Sequence, residues 1–128
     1  MQHVEQIACD EKPLAYIIRA EMRPAKTTFV TPPEFKQQVG FVVYPAGGAI
    51  QRHDHRPLVR HLVGTSEVLV VQNGRCEIDI YNDNRQLVAT RELRRGDIMV
   101  MVGVRTRLSD AGGHSFSGDQ AGAIYRRE

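Results

Sequence analysis

At 128 residues, with 17 Lys and Arg against 15 Asp and Glu, the chain is long enough to bury a core as one domain and is close to neutral. The basic residues are scattered instead of forming a stripe, which argues against nucleic acid as a partner. The opening MQHVEQIACDEKPLAY contains acids and no uninterrupted apolar run, so neither a secretory signal nor a membrane span fits; a cytoplasmic location is expected, with Cys9 and Cys76 as free thiols.

Short β-like runs separated by turn residues then follow: LAYIIRA (14–20), TTFV (27–30), VGFVVY (39–44), EVLVV (67–71), RCEIDIY (75–81), QLVATREL (86–93) and DIMVMV (97–102). Between the second and third of these, TPPEFKQQ (31–38) is the only stretch that could form a helical turn, with prolines where a missing N–H costs least. In RCEIDIY the apolar Cys76, Ile78 and Ile80 alternate with Arg75, Glu77 and Asp79, the period of a strand with one dry face. By the same period Val68, Val70, Ile98 and Val100 are expected to point into the core. Asn73-Gly74 predicts a tight turn that pairs the runs on either side as a hairpin, and Asn82-Asp83-Asn84 and Arg95-Gly96-Asp97 mark later reversals. Many short antiparallel strands without long helices predict an all-β sandwich or jelly-roll barrel.

His53-Asp54-His55 places two imidazoles two residues apart. On a strand such residues share a face, so both rings could reach one ion. Glu67, at the start of a later strand, could supply a carboxylate to the same interior point. Two imidazoles and a carboxylate suit Fe, Mn, Zn, Ni or Cu, with positions left for water or substrate. His61 is a further histidine in the intervening spacer. Arg52, Arg56 and Arg60 flank the pair, and they read equally well as a fork for an anionic small-molecule ligand or as ordinary solvated arginines.

Gly47 leads to His53 and His55 with the spacing G(x)5HxH, and Glu67 leads to Gly74 with the spacing E(x)6G. In this the chain resembles the cupin superfamily, and the stretch from YPAGGAIQRHDHRP to TSEVLVVQNGRCEIDIYNDN is similar to small single-domain bacterial cupins, over residues 13–102. The resemblance implies a cupin-type jelly-roll β-barrel with a divalent metal held by His53, His55 and Glu67. The spacer before Glu67 is longer than the family's usual one, which bears on Glu67 as a ligand. The resemblance also implies a homodimer, paired through the apolar N-terminal strand 14–20.

After Val102 the expected second motif, with a third histidine and the closing strands, does not follow. Residues 103–128, GVRTRLSDAGGHSFSGDQAGAIYRRE, lack alternation and are rich in glycine, so an incomplete barrel with an unpaired edge is expected. Reverse translation offers an explanation: from residue 108 onward, reading one base later with permitted codons yields FRMLEDTVFLEIKQGPYTGE. That peptide contains a strand-like TVFLEI and resembles the usual end of the family. The alternative is that His114, in Gly112-Gly113-His114-Ser115-Phe116, is itself the third histidine after an insertion. The function expected from the resemblance is a metal-dependent enzyme acting on a small molecule, such as a sugar or sugar-nucleotide intermediate. A non-catalytic binding or sensory cupin, or one inactivated by its altered tail, remains open beside it.

Overall fold

The computed structural model of the chain describes residues 1–59, 61, 66–102, 105–110 and 115–116. It divides into two compact units, one formed by Met1–Met22 with Gly64–Glu128 and the other by Arg23–Val63. Among the described residues the regular structure is entirely β.

The first unit holds two four-stranded antiparallel sheets. One consists of β1 (Val4–Cys9), β2 (Lys12–Ile18), β8 (Ile98–Val102) and β5 (Ser66–Val70), in that order. The other runs β10 (Ser115–Phe116), β9 (Arg105–Asp110), β6 (Arg75–Tyr81) and β7 (Leu87–Arg94). Their inner faces share one core: Ala15, Ile17, Leu69, Val71, Met99 and Met101 from the first sheet meet Cys76, Ile78, Ile80 and Leu93 from the second. The described strands make this sandwich without closing into a continuous barrel.

The alternation in β6 holds as expected, with Cys76, Ile78 and Ile80 buried and Glu77 and Asp79 more exposed. In β5 the expected face is reversed. Val68 and Val70 are each 39% exposed, whereas Leu69 is 4% exposed and Val71 1%. Register with β8 explains this, because Leu69 stands opposite Met99 and Glu67 opposite Met101, both on the core side. Val100 is buried but lies on the other face of the sheet, opposite Tyr16, and Ile98 beside it is half-buried. EVLVV is apolar at nearly every position and so carries no alternation from which to choose a face.

The expected hairpin across Asn73-Gly74 does not form. Val71 stays with the first sheet, where its N–H donates to Asp97 O at 3.0 Å and its carbonyl accepts from Gly96 N at 2.7 Å. The turn therefore carries the chain from one sheet to the other. The first residues hold a strand that composition hid: β1 pairs with β2 through a turn in which Asp10 (φ 50) and Glu11 (φ 62) both take the left-handed conformation.

The tail also departs from expectation. Residues 105–110 form β9, which pairs with β6 from Tyr81↔Arg105 to Cys76↔Asp110. The expectation that nothing after Val102 would add a strand is thus corrected for residues 105–110. Main-chain hydrogen bonds to an available edge do not require an apolar alternation in the added strand. Residues 111–114 and 117–128 lie outside the described residues.

In the second unit, β3 (Thr28–Phe29) pairs with β4 (Gly40–Phe41), and Val30 N continues the ladder to Val39 O at 2.8 Å. The run expected as a strand over 39–44 is thus shortened. Residues 31–38 form a closed loop in place of a helical turn. Buried Thr31 accepts from Val39 N at 2.9 Å, and Gln38 Nε2 donates to the carbonyls of Pro32 and Phe35 at 2.9 and 2.8 Å.

Candidate metal site

Tyr44-Pro45-Ala46-Gly47-Gly48 turns the chain just before the histidines, with Gly48 N donating to Pro45 O at 2.9 Å and Gly47 at φ 80. Residues 51–59 that follow are exposed and carry no strand, so the shared face of His53 and His55 does not come from strand periodicity. The two rings nevertheless meet, with centroids 5.1 Å apart and planes inclined by 70°. His53 Nδ1 lies 3.0 Å from Gln51 O. A carbonyl oxygen can only accept, so Nδ1 carries the hydrogen, and Nε2 is the ring nitrogen left to bind an ion. Metal-binding histidines are commonly oriented by such a bond to a backbone carbonyl.

Glu67 belongs to the other unit. It is the second residue of β5, on the core side opposite Met101 and one pleat from Leu69, and is half-buried. Among the described residues it has no ion-pair or hydrogen-bond partner, an unfavourable position for a carboxylate unless something positive meets it. Among the described residues no three His, Cys, Asp or Glu side chains gather closely enough to hold a metal, so the imidazole pair is what the structure brings together. Arg52 and Arg56 are exposed beside that pair, and His61 is exposed further along. Arg60 and His114 lie outside the described residues.

Asp97 sits in the expected reversal, with its N–H donating to Arg94 O at 2.9 Å, and its side chain does more than turn the chain. It is 3% exposed, and its Oδ2 accepts from Arg19 Nη1 and Arg94 N, each at 2.9 Å. Its Oδ1 accepts from Ala20 N at 2.9 Å, and Arg19 Nη1 also donates to Glu92 O at 2.7 Å. The carboxylate thereby ties the ends of β2 and β7, in opposite sheets, to the start of β8. Gly96 makes the corner possible, since at φ 88 a Cβ would stand 2.8 Å from Ala20 Cβ. Ion pairs Arg91–Glu5 and Lys12–Asp83 also link the two sheets. Nothing in the residue types distinguishes this structural carboxylate from a ligand; only its saturation by donors does.

Cys76 is buried in the core, and burial pushes its thiol above the usual range, with Asp97 and Glu92 adding to the shift. It is therefore a packing residue and a poor nucleophile. Among the described residues no helix is long and apolar enough to cross a membrane. Comparisons with protein families, curated proteins and solved structures give no match.

Proposed function

We propose that the chain is a cupin-type metal-binding protein in which His53 and His55 hold a divalent ion and Glu67 supplies the third protein ligand. The observation that carries this reading is the imidazole pair, with rings 5.1 Å apart and His53 set by Gln51 O to offer Nε2. Glu67 is carried as the third ligand by the family resemblance, and its half-buried side chain, with no partner among the described residues, supports that reading. Two antiparallel four-stranded sheets around one core are compatible with a jelly roll. Such an ion would act as a Lewis acid toward a carbonyl or similar group of a small molecule, a sugar or sugar nucleotide being the class the family resemblance favours. Arg52 and Arg56, exposed beside the histidines, would attract an anionic substrate.

Metal analysis of the purified protein, followed by calorimetric titration with Ni, Zn and Mn salts, tests the proposal. His53→Ala and His55→Ala should each abolish stoichiometric binding, and Glu67→Gln should weaken it by about 10–100-fold if Glu67 is a ligand. Binding unchanged in His53→Ala overturns the site. As part of the same reading, the chain is a homodimer in the cytoplasm, and a concentration-independent monomer by light scattering refutes the dimer. Residues 103–128 are read as the product of a shifted frame, in which the normal closing strand has been replaced.

A further inference from the structure

We propose that Asn73 is a site of spontaneous deamidation through a succinimide formed with the Gly74 nitrogen. Both residues are exposed at the corner that carries the chain between the two sheets. Gly74 N stands 3.0 Å from Asn73 Oδ1, so the side-chain amide already folds over the following peptide nitrogen. Gly74, at φ 70, has no Cβ to obstruct that approach and can rotate as the ring closes. Asn82 provides the contrast on the same molecule: its Oδ1 is held by Asn84 N and Gln86 N, each at 3.0 Å, and its Nδ2 by Gln86 Oε1 at 3.0 Å. Its amide is thus engaged by three hydrogen bonds that ring closure would have to break.

The chemistry needs only water and base. The Gly74 nitrogen, after losing its proton to hydroxide, attacks Asn73 Cγ. The bond from Cγ to Nδ2 breaks, and ammonia leaves with a proton taken from water. Water then opens the five-membered imide at either carbonyl, leaving aspartate or isoaspartate at position 73. In sum one water enters and one ammonia departs, with no change of oxidation state. Either product adds a negative charge, and isoaspartate also adds a methylene to the backbone between buried Val71 and Cys76. The corner is therefore a place where ageing would disturb the alignment of the two sheets.

The test incubates the full chain, folded, in mildly alkaline buffer made with heavy-oxygen water and maps its peptides by mass. The expected result is that position 73 gains one heavy oxygen, as a mixture of isoaspartate and aspartate, at least about tenfold faster than Asn82 or Asn84. Asn73→Gln, which keeps an amide but cannot close the five-membered ring readily, should lose the signal while retaining the thermal transition. Equal rates at 73 and 82, aspartate without isoaspartate, or modification of position 73 only after unfolding in urea would each overturn the proposal.

Discussion

Replacing Asp97 by alanine tests whether one buried carboxylate holds the two sheets together. The substitution removes the acceptor for Ala20 N, Arg94 N and Arg19 Nη1, each bonded at 2.9 Å. Two main-chain N–H groups lose this acceptor at a part-buried corner, at about 1–2 kcal/mol each. Arg19 is 31% exposed and keeps its bond to Glu92 O, so water and that carbonyl recover part of its loss and its share stays near 1 kcal/mol. The sum, about 3–5 kcal/mol, is a large part of the ~5–15 kcal/mol that stabilises a small domain. With a urea m-value of roughly 1–3 kcal/mol/M, the midpoint should fall by about 2 M without a change in slope. Asp97→Asn keeps one acceptor but turns an NH2 toward donors, and should recover less than half of the loss. A shift in Asp97→Ala of under about 1 kcal/mol would refute the reasoning, since it would mean that the corner relaxes and rehydrates freely.

The face assignment of β5 predicts that Leu69→Ala costs about 2–5 kcal/mol by urea unfolding while Val68→Ala costs under about 1 kcal/mol; the reverse order would restore the face inferred from sequence. Because Cys76 is buried and its folded-state thiol is raised, its stabilising effect is intact below the ordinary thiol range and is lost as pH rises through the folded value. Cys76→Ala should therefore flatten the alkaline decline of the unfolding midpoint, and a thiol reagent should label half-buried Cys9 in the native protein and Cys76 only after unfolding. A chain with the shifted frame restored from residue 103 should unfold at higher urea and bind metal more tightly. Equal stability and affinity, or genomic sequence and peptide masses that confirm the present frame and a fully competent protein, would refute the frameshift reading.

Legibility in the sequence followed the contrast between neighbouring residues. RCEIDIY declared both its period and its face, because each apolar residue stands between polar ones. EVLVV declared a strand and concealed its face, and only pairing with β8 chose Leu69 over Val68. Asn73-Gly74 declared a reversal correctly. Whether a reversal returns a strand to its neighbour or sends it across to another sheet depends on what the preceding strand is already bonded to. Here Val71 was held by Asp97 O and Gly96 N, partners more than twenty residues away in the chain. β1 was hidden for a related reason: Glu5 and Gln6 interrupt its apolar residues, and its turn uses Glu11 in a conformation usually given to glycine or asparagine.

The candidate site was legible as chemistry but not as geometry. HxH spacing implies a shared face only if a strand supplies the period, and at residues 51–59 no strand is present; the rings meet through the local path of the chain, with Gln51 O orienting His53. Glu67 and Asp97 show the limit of residue type from the other direction. Each is a carboxylate beside an apolar strand, and only the family spacing and the turn motif, not the residue type, separate them in the sequence. In the fold Asp97 already accepts from three donors, whereas Glu67 faces the core side with no partner among the described residues. A buried carboxylate with its donors in place is part of the scaffold; a half-buried one without them keeps its lone pairs available to a cation. That difference makes Glu67→Gln the informative substitution. If Glu67 binds a metal, the variant should lose affinity and gain stability in metal-free buffer, because an uncompensated charge has been removed. If it binds none, stability alone should change.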